Sequence, residues 1–412
     1  MSGDARILIE TSPGQSRALY LIDGQIIEAW HDFHHDPDLT GCVHRVRIDR
    51  VFPAQNRATA TLDNGVAISV RTTRHDRLVA GEIATVTLVA APREAKPWQA
   101  VTGARLAGKN MVLLPDSEGI TTSKKMAQPP AAPVMDALQS IIGGHPGFGV
   151  ILRRHAGASE VLAGEAAALV AAWWAGLRDL CEAEGTGCLF DHGGLAARIA
   201  VQEPYVSCEL VGPGEADDFD ALWDKVIDET TRPDIQLAGG GVMWVEPTRA
   251  LTAIDLDSGS GDLAALFSAA PSAIAHQLRL RQTGGLVAVD VPRASPAAGR
   301  GFDEALDRAL ARDPRSPERM GRSRGGVTEI RIAYGRPGPA KWAADRVAVD
   351  ALAALRAISL RPQLASPRLE CRPDTADWLR GPGTGALASL DRKVELVVSS
   401  NAGPATLIEA SR

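Results

Sequence analysis

The 412-residue sequence predicts a mixed α+β protein built from several domains, and three observations support this prediction. The chain is too long for one compact core, since a domain averages roughly 150 residues. Residues 42–92 contain short apolar runs separated by turn sequences, which is typical of a small closed β-barrel. From about residue 250 onward, strand and helix patterns alternate, which indicates an α/β unit with a partly parallel sheet.

The composition is that of an ordinary globular protein, with 45% hydrophobic and 23% charged residues and a net charge of −6. This charge argues against a bulk polyanion binder but allows a local basic groove. The five cysteines are odd in number and form no CxxC pair, so neither a disulfide framework nor a zinc site is indicated. A reducing cytoplasm fits best, because the sequence shows neither a signal peptide nor an apolar membrane span.

The elements of the N-terminal half follow from turns and periodicity. Residues 5–30 alternate apolar and polar residues around an Asp-Gly turn, which predicts paired strands. The histidine-rich HDFHHDPD that follows is interpreted as a solvated loop rather than a metal cluster. Beyond the barrel, a proline-rich break precedes a helix. The alanine-rich residues 158–184 predict a long helix, in which Trp173 and Trp174 are expected to supply packing bulk rather than a cofactor site.

The C-terminal half begins with a helix predicted at about 216–230. A hairpin follows it and turns at a triple glycine, within DIQLAGGGVMWVEPTRALTAIDLDSG. A helix near 262–281, the strand GGLVAVDVP, a helix near 301–312 and the strand GGVTEIRIA come next. One further helix is predicted at about 339–357, within a weaker α/β pattern.

Two of these apolar strands, ALTAIDLD and GLVAVDV, each end in an aspartate. Asp255 and Asp290 are separated by about the length of one right-handed strand-helix-strand crossover. If the strands are neighbours, both carboxylates lie at one edge of the sheet. Such a pair suits a hard cation such as Mg²⁺ or Mn²⁺, which polarises a phosphodiester and generates hydroxide from bound water. Arg279 and Arg281, at the end of the intervening helix, are expected close to the same edge. Acids at strand ends are common, so spacing alone also allows a structural role.

The block ALTAIDLDSG followed by IAHQLRLRQTGGLVAVDV resembles the catalytic core of the ribonuclease E/G family, whose pattern is roughly LTxIDVNSG and IARQLRLRDLGGLIVIDF. The segments MVLLPDSEGITTSKKM, GVILRRHAG and SRGGVTEIR are similar to further family segments. The resemblance implies a Mg²⁺-dependent endoribonuclease that cuts single-stranded RNA and senses a 5′-monophosphate. Two alternatives stay open: a non-catalytic RNA-binding protein of the same fold, and a metal phosphoesterase acting on small nucleotides.

The resemblance also implies a domain order. An RNase H-like subdomain, from residues 1–38 and 191–237, is interrupted by an OB-fold barrel at 39–103 and a 5′-sensor-like region at 104–190. A DNase I-like α/β catalytic subdomain at 238–338 and a small C-terminal domain at 339–412 follow.

The resemblance assigns roles to individual residues of this sequence. It implies that Asp255 and Asp290 hold Mg²⁺ and that Asp257, where the family has asparagine, assists catalysis. It implies a 5′-phosphate pocket at Gly108, Val112, Arg153 and Arg154, the last of which replaces a threonine. It implies RNA contacts at Lys96, Ser123, Lys124 and Lys125. Arg279, Arg281 and Arg324 are further candidates for holding phosphates.

Departures from the family pattern bear on activity. Thr61 and Arg71 stand where the family has aromatic residues on the barrel. Because stacking contributes ~1–3 kcal/mol per base, RNA capture by the barrel is expected to be weaker or more electrostatic. The CPxCxG zinc-link is absent, so no zinc-linked dimer is expected, although another oligomer is possible. FSAAPSA replaces the family's acidic NxEAA segment, which keeps the non-catalytic alternative open.

Overall fold

A computed structural model describes residues 4–73, 76–93, 96–123, 126, 131–144, 147–153, 156, 159–181, 185–203, 206–216, 218–259 and 261–408. Three predicted site residues, Lys124, Lys125 and Arg154, lie outside this described part. Contacts divide the chain into two units, one formed by residues 1–38 and 206–412 and the other by residues 39–205. Within the described part, no helix is long and apolar enough to cross a membrane.

The secondary structure elements are numbered in chain order. The strands are β1 (Ala5–Ser12), β2 (Gln15–Ile22), β3 (Gln25–Phe33), β4 (Val43–Phe52), β5 (Arg57–Thr61), β6 (Ala67–Arg71), β7 (Ile83–Ala90), β8 (Trp98–Thr102), β9 (Leu106–Ala107), β10 (Met111–Pro115), β11 (Gly119–Thr122), β12 (Phe148–Leu152), β13 (Gly187–Phe190), β14 (Ser207–Val211), β15 (Asp234–Gln236), β16 (Val242–Pro247), β17 (Thr252–Asp257), β18 (Gly285–Asp290), β19 (Glu318–Arg322), β20 (Thr328–Ile332), β21 (Arg368–Cys371), β22 (Glu395–Val398) and β23 (Thr406–Ile408). The helices are α1 (Ala132–Gly143), α2 (Ser159–Cys181), α3 (Leu195–Gln202), α4 (Phe219–Thr231), α5 (Leu263–Leu280), α6 (Pro296–Leu310), α7 (Pro339–Ala344), α8 (Arg346–Ser359), α9 (Pro373–Arg380) and α10 (Thr384–Ala388).

The second unit contains the predicted barrel. Its strands pair in the order β4-β5-β6-β8-β7, and β7 pairs back onto β4, which closes the barrel. Alternate residues of each strand point inward, so Val46, Ile48, Val70 and Leu88 fill the interior. The mixed α+β fold with a five-stranded, OB-like barrel is therefore confirmed.

The second unit also contains a sheet in the order β11-β12-β10-β9, against which α1 and α2 pack. Trp173 of α2 is buried in this core, whereas its neighbour Trp174 is 46% exposed. Consecutive helix residues point roughly 100° apart, so the two indoles cannot be buried equally against the sheet. Trp174 nevertheless contacts Phe148 of β12 edge-on, at a centroid distance of 5.8 Å, so both tryptophans supply packing bulk as predicted, Trp173 from inside the core and Trp174 from its margin.

The first unit begins with a sheet in the order β14-β1-β2-β3. Its core includes Phe219, Trp223 and Trp342 from α4 and α7. His31 lies in β3, where its ring contacts Trp223 and Trp342 at centroid distances of 5.4 and 5.6 Å, and Nε2 hydrogen-bonds Gln15 at 2.8 Å. The interpretation of this segment as a solvated loop is therefore wrong for His31.

The central part of the first unit is a six-stranded sheet in the order β15-β16-β17-β18-β20-β19. Strands β17 and β18 are parallel and are joined by α5, which is the predicted crossover. Helices α5 and α6 cover one face through Leu266, Ile274, Leu278, Phe302 and Leu306. Alternate residues of β16, β17 and β18 on the other face are exposed or partly exposed. The sheet therefore keeps one face open.

Residues 339–359 form two helices, α7 and α8, where one helix was predicted at about 339–357. Helix α7 ends before Asp345, whose side chain accepts a hydrogen bond from the backbone N–H of Ala348 at 3.1 Å and so caps α8. A small sheet in the order β22-β21-β23 packs against α8 and α9. The assignments of RNase H-like and DNase I-like subdomains, and their boundaries, stay predictions.

Candidate active site

Two aspartates meet at the open face of the six-stranded sheet. In the parallel pair of β17 and β18, Asp255 lies directly opposite Asp290. Ile254 and Val289, one position earlier, are buried against the helices, so by alternation both aspartates point to the open face, where both are exposed. Neighbouring strands are about 4.8 Å apart. The structure therefore brings the two predicted carboxylates together.

No protein cation among the described residues forms an ion pair with these two like charges. Within the described part of the chain, neither Asp255 nor Asp290 has a hydrogen-bond or ion-pair partner. Like charges directly opposite each other destabilise a sheet. Helices α5 and α6 each follow one of the two strands, so their positively polarised N-terminal ends lie towards the same end of the sheet. The negative charge of the pair favours a cation.

Asp257 is exposed two residues further along β17 and is partly committed to a turn. Its Oδ1 accepts a hydrogen bond from the backbone N–H of Gly259 at 2.8 Å. This turn packs on the triple-glycine turn, since a Cβ at Gly261 would meet the carbonyl oxygen of Gly239 at 2.5 Å. Asp257 therefore shapes the edge and adds charge to it.

The donor set of the edge fits Mg²⁺ better than zinc. Among the described residues, no group of three or more His, Cys, Asp or Glu side chains could hold a metal ion, so the edge offers a carboxylate pair rather than a complete cage. Mg²⁺ is usually bound through one or two carboxylates, with water and substrate phosphates completing its shell. Structural zinc instead takes four nitrogen or sulfur ligands.

Comparison with known proteins shows which family the segment with these two aspartates resembles. The sequence profile described as the Ribonuclease E/G family matches residues 219–331, from α4 almost to the end of β20. The resemblance to the ribonuclease E/G family is thereby confirmed for residues 219–331.

Curated relatives are similar to short stretches of this chain. Ribonuclease E of Nostoc sp. and that of Synechocystis sp. are each 39% identical over 75 residues, which covers 16% of this chain and 11% of the relative. Ribonuclease E of Buchnera aphidicola is 35% identical over 105 residues, which covers 23% of this chain and 12% of the relative. The chain thus matches about a tenth of the length of these relatives.

Two arginines lie near the carboxylate edge of this ribonuclease E/G segment. Arg324 is exposed in the turn between β19 and β20, and this turn lies at the edge because Thr328 pairs with Val289 just before Asp290. Arg293, three residues after Asp290, is also exposed, and sequence reasoning missed it. Neither arginine has an ion-pair partner among the described residues.

Arg279 and Arg281 do not lie at this edge, so the expectation that they do is wrong. Helix α5 runs antiparallel to β17 and β18, so its C-terminal end leads to the start of β18, roughly 16 Å from the aspartates along the strand. Nε of Arg279 donates to Glu28 at 2.8 Å. Arg281 donates to three backbone carbonyl groups at the end of α4, at 2.7 to 2.9 Å. Both guanidinium groups therefore tie α5 to its own unit.

The second unit, outside the matched segment, contains the predicted phosphate pocket. Val112 lies in β10, which pairs with β12 just before Arg153. Nη1 of Arg153 donates to the carbonyl oxygen of Gly108 at 2.7 Å. Burial lowers the pKa of Arg153, and the charge of Glu165 opposes this shift. The structure thus brings Gly108, Val112 and Arg153 together.

Glu165 of α2 already places a carboxylate in this pocket. It accepts hydrogen bonds from the backbone N–H of Asn110 at 2.9 Å, from the Asn110 side chain at 2.8 Å and from the backbone N–H of Met111 at 3.3 Å. A side chain at Gly108 would collide with this carboxylate. The N–H groups that could cradle a phosphate are therefore bonded to an internal anion.

The other predicted contacts lie on the second unit. Lys96 is exposed just before β8, and Ser123 follows β11. On the barrel, the hydroxyl of Thr61 donates to Asp49 at 3.0 Å, and Arg71 is exposed at the end of β6. The barrel therefore offers polar and basic groups, rather than rings, at these positions.

Proposed function

We propose that this chain is an endoribonuclease that hydrolyses single-stranded RNA at the edge formed by Asp255 and Asp290, with Mg²⁺, or Mn²⁺ in its place, as the cofactor. One observation carries the proposal: two exposed carboxylates, which have no protein partner among the described residues, lie in register on parallel strands. They do so within the segment that matches the ribonuclease E/G family. The name ribonuclease E of the relatives supports RNA as the substrate.

Each residue of the edge has a proposed task. Asp255 and Asp290 hold the cation, which when bound polarises a phosphodiester and lowers the pKa of a water molecule. Asp257 fixes the turn beside them and adds negative charge. Arg293 and Arg324 pair with phosphates that flank the cut and so orient the strand. Arg279 and Arg281 stabilise the unit and have no proposed contact with RNA.

The second unit is proposed to hold RNA mainly through charge. Lys96 contributes to this contact, and Lys124 and Lys125 stay predicted contacts. The pocket at Gly108, Val112 and Arg153 is proposed to take a 5′-phosphate only in exchange for the carboxylate of Glu165. We therefore expect a weak preference for 5′-monophosphorylated RNA.

A non-catalytic RNA-binding protein of the same fold is the second candidate. Two sequence features of the matched segment favour it: Asp257 replaces an asparagine, and FSAAPSA in α5 replaces an acidic segment of the family pattern. Such a protein would bind single-stranded RNA and leave it intact.

The test compares RNA cleavage by the wild-type chain and by Asp290→Asn, with Mg²⁺ and with EDTA. Asparagine keeps the shape of the side chain but removes a charge that holds the cation, so the cleavage rate is expected to fall at least about 100-fold. Glu246→Gln is the matched control, because Glu246 is an exposed carboxylate of the same face, one row away from the pair.

The outcomes separate the candidates. RNA binding without cleavage by the wild-type chain supports the non-catalytic candidate. Equal cleavage by the wild type and Asp290→Asn places the reaction elsewhere in the chain.

A further inference from the structure

An exposed tryptophan stands beside the carboxylate pair. In the antiparallel pair of β16 and β17, Trp244 lies directly opposite Asp255, which in turn lies opposite Asp290. Trp244 is 41% exposed, whereas Met243 and Val245 on either side of it are buried. The indole and the two carboxylates therefore form one row across three strands, on the open face of the sheet.

We propose that Trp244 is the platform on which one unstacked nucleobase of the RNA stacks, next to the phosphate held at the carboxylate edge. The proposal rests on the proposed function for the identity of the ligand. It adds a base-binding subsite that influences which base is tolerated beside the cut.

The spacing of the sheet suits this arrangement. Neighbouring strands lie about 4.8 Å apart, so the backbone of Trp244 is one strand spacing from Asp255 and two from Asp290. In a nucleotide, the base and its phosphate are separated by one ribose, a distance comparable to one or two such spacings. A base on the indole therefore keeps its own phosphate within reach of the pair.

The surface next to the row leaves room for a base. Ala253 and Ala288 occupy the following row of the open face and pair with each other. Beyond them lies Leu286, which is 38% exposed. Two small side chains between the indole and this leucine form a shallow apolar floor. The flat side of a base can cover that floor while its polar edge stays in water.

The charges around the indole favour a base over a protein surface. Glu246 and Glu329 occupy the ends of the alanine row, and the aspartates occupy the indole's own row. A protein interface laid over Trp244 would remove several carboxylates from water, which is costly without paired cations. Stacking of a single base needs one aromatic face and leaves these carboxylates solvated. The barrel has Thr61 and Arg71 where the family pattern has aromatic residues. Trp244 therefore supplies an aromatic ring for stacking that these barrel positions lack.

The experiment measures binding of short single-stranded RNAs in Ca²⁺, which oxygen ligands also hold. Trp244→Ala is expected to weaken binding about tenfold, and Trp244→Phe, which keeps a ring, by no more than about threefold. A series of RNAs is then tested, each with one abasic nucleotide at a different position. At one of these positions, the missing base should weaken binding to the wild-type chain about as much as Trp244→Ala does. That abasic RNA should lose little more when combined with Trp244→Ala, because both changes remove the same contact.

Two further measurements sharpen the test. Trp174→Ala is the matched control, since Trp174 is 46% exposed but lies in the other unit, and this change should not couple to any abasic position. An RNA carrying 5-iodouridine at the coupled position should form a photo-crosslink to Trp244. Urea denaturation of each variant checks that the fold is kept.

The outcomes distinguish the base-binding subsite from the proposed nuclease function. If the losses of binding free energy from Trp244→Ala and from each abasic position are additive, the proposed subsite is overturned as an inference, even if the wild type cleaves RNA. If they couple but no RNA is cleaved, the subsite stands and the proposed nuclease function fails. If sedimentation shows wild-type dimers that Trp244→Ala dissociates, and no coupling is found, the indole belongs to a contact between copies and the proposal is overturned.

Discussion

Two regions of the molecule suit a charged ligand: the carboxylate edge of the first unit, and the backbone N–H groups of the loop at residues 108–111 of the second unit. They differ in whether a protein group is already bonded there. At the edge, Asp255 and Asp290 have no partner in the described part of the chain. In the loop, the backbone N–H groups of Asn110 and Met111 are bonded to Glu165. The edge is open to a ligand, and the loop has its anion built in.

Solvent exposure explains this difference. The two aspartates are exposed, so water solvates their charges when no ligand is bound. Asn110 is only 4% exposed, and leaving a buried donor without an acceptor costs about 1–3 kcal/mol. The loop therefore needs a permanent partner, which Glu165 provides. Polar groups that suit a ligand therefore form an available binding site only where water can solvate them in the absence of the ligand.

Of the changes that test this difference between the two regions, neutralising Glu165 is expected to have the largest effect, on the preference for 5′-monophosphorylated RNA. Glu165→Gln keeps an acceptor for the loop but removes the charge that repels a phosphate beside Arg153. We expect the ratio of cleavage rates for 5′-monophosphorylated and 5′-hydroxyl RNA to rise from near one to about tenfold. Competition between the two RNAs in one reaction measures this ratio directly.

Two further variants define the cause of that change. Asp136→Asn removes one carboxylate from the exposed face of α1 in the same unit and should leave the ratio unchanged. Arg153→Ala, combined with Glu165→Gln, should return the ratio to near one. A strong 5′-monophosphate preference in the wild type that Glu165→Gln leaves unaltered would show that the carboxylate does not compete with phosphate.

A smaller effect is expected at the open edge when Asp257 is replaced by the asparagine of the family pattern. The amide oxygen can still accept the hydrogen bond from Gly259, so the turn is kept, but the edge loses one negative charge. The Mg²⁺ concentration for half-maximal cleavage should rise about three- to tenfold, with little change of the rate at saturating Mg²⁺. Glu246→Gln should change neither quantity. A loss of rate that added Mg²⁺ does not restore would instead assign Asp257 a direct catalytic role.

Much of the open edge could be predicted from the sequence, because its geometry follows from local rules. The alternation of apolar residues sets which face Asp255 and Asp290 point to, and the length of the crossover makes their strands parallel neighbours. The five-stranded barrel follows in the same way from short strands and turn sequences. The expected position of Arg279 is wrong because a crossover helix runs antiparallel to its strands, so its C-terminal end returns to the start of the next strand.

Other features depend on contacts that no local pattern shows. Glu165 lies 55 positions from the loop that it fills, and only the packing of α2 on the sheet brings them together. Trp244 alternates like any strand residue, and its place beside Asp255 depends on the register of a hairpin whose turn length the sequence leaves open. Residues 339–357 look like one helix until the side chain of Asp345 caps a second one.

The smallest expected effect concerns the exposed arginines of the open edge. If Arg293 and Arg324 each pair with one phosphate, replacing either with alanine should weaken RNA binding about two- to fivefold, and should reduce the slope of log affinity against log salt by about 0.7 for a single strand. Arg249→Ala is the matched control, because Arg249 is exposed in the turn between β16 and β17, at the opposite end of the same sheet. Equal losses for all three variants would indicate general attraction of RNA to positive charge. Losses confined to Arg293 and Arg324 would place the RNA backbone at the end of the sheet where the two aspartates lie.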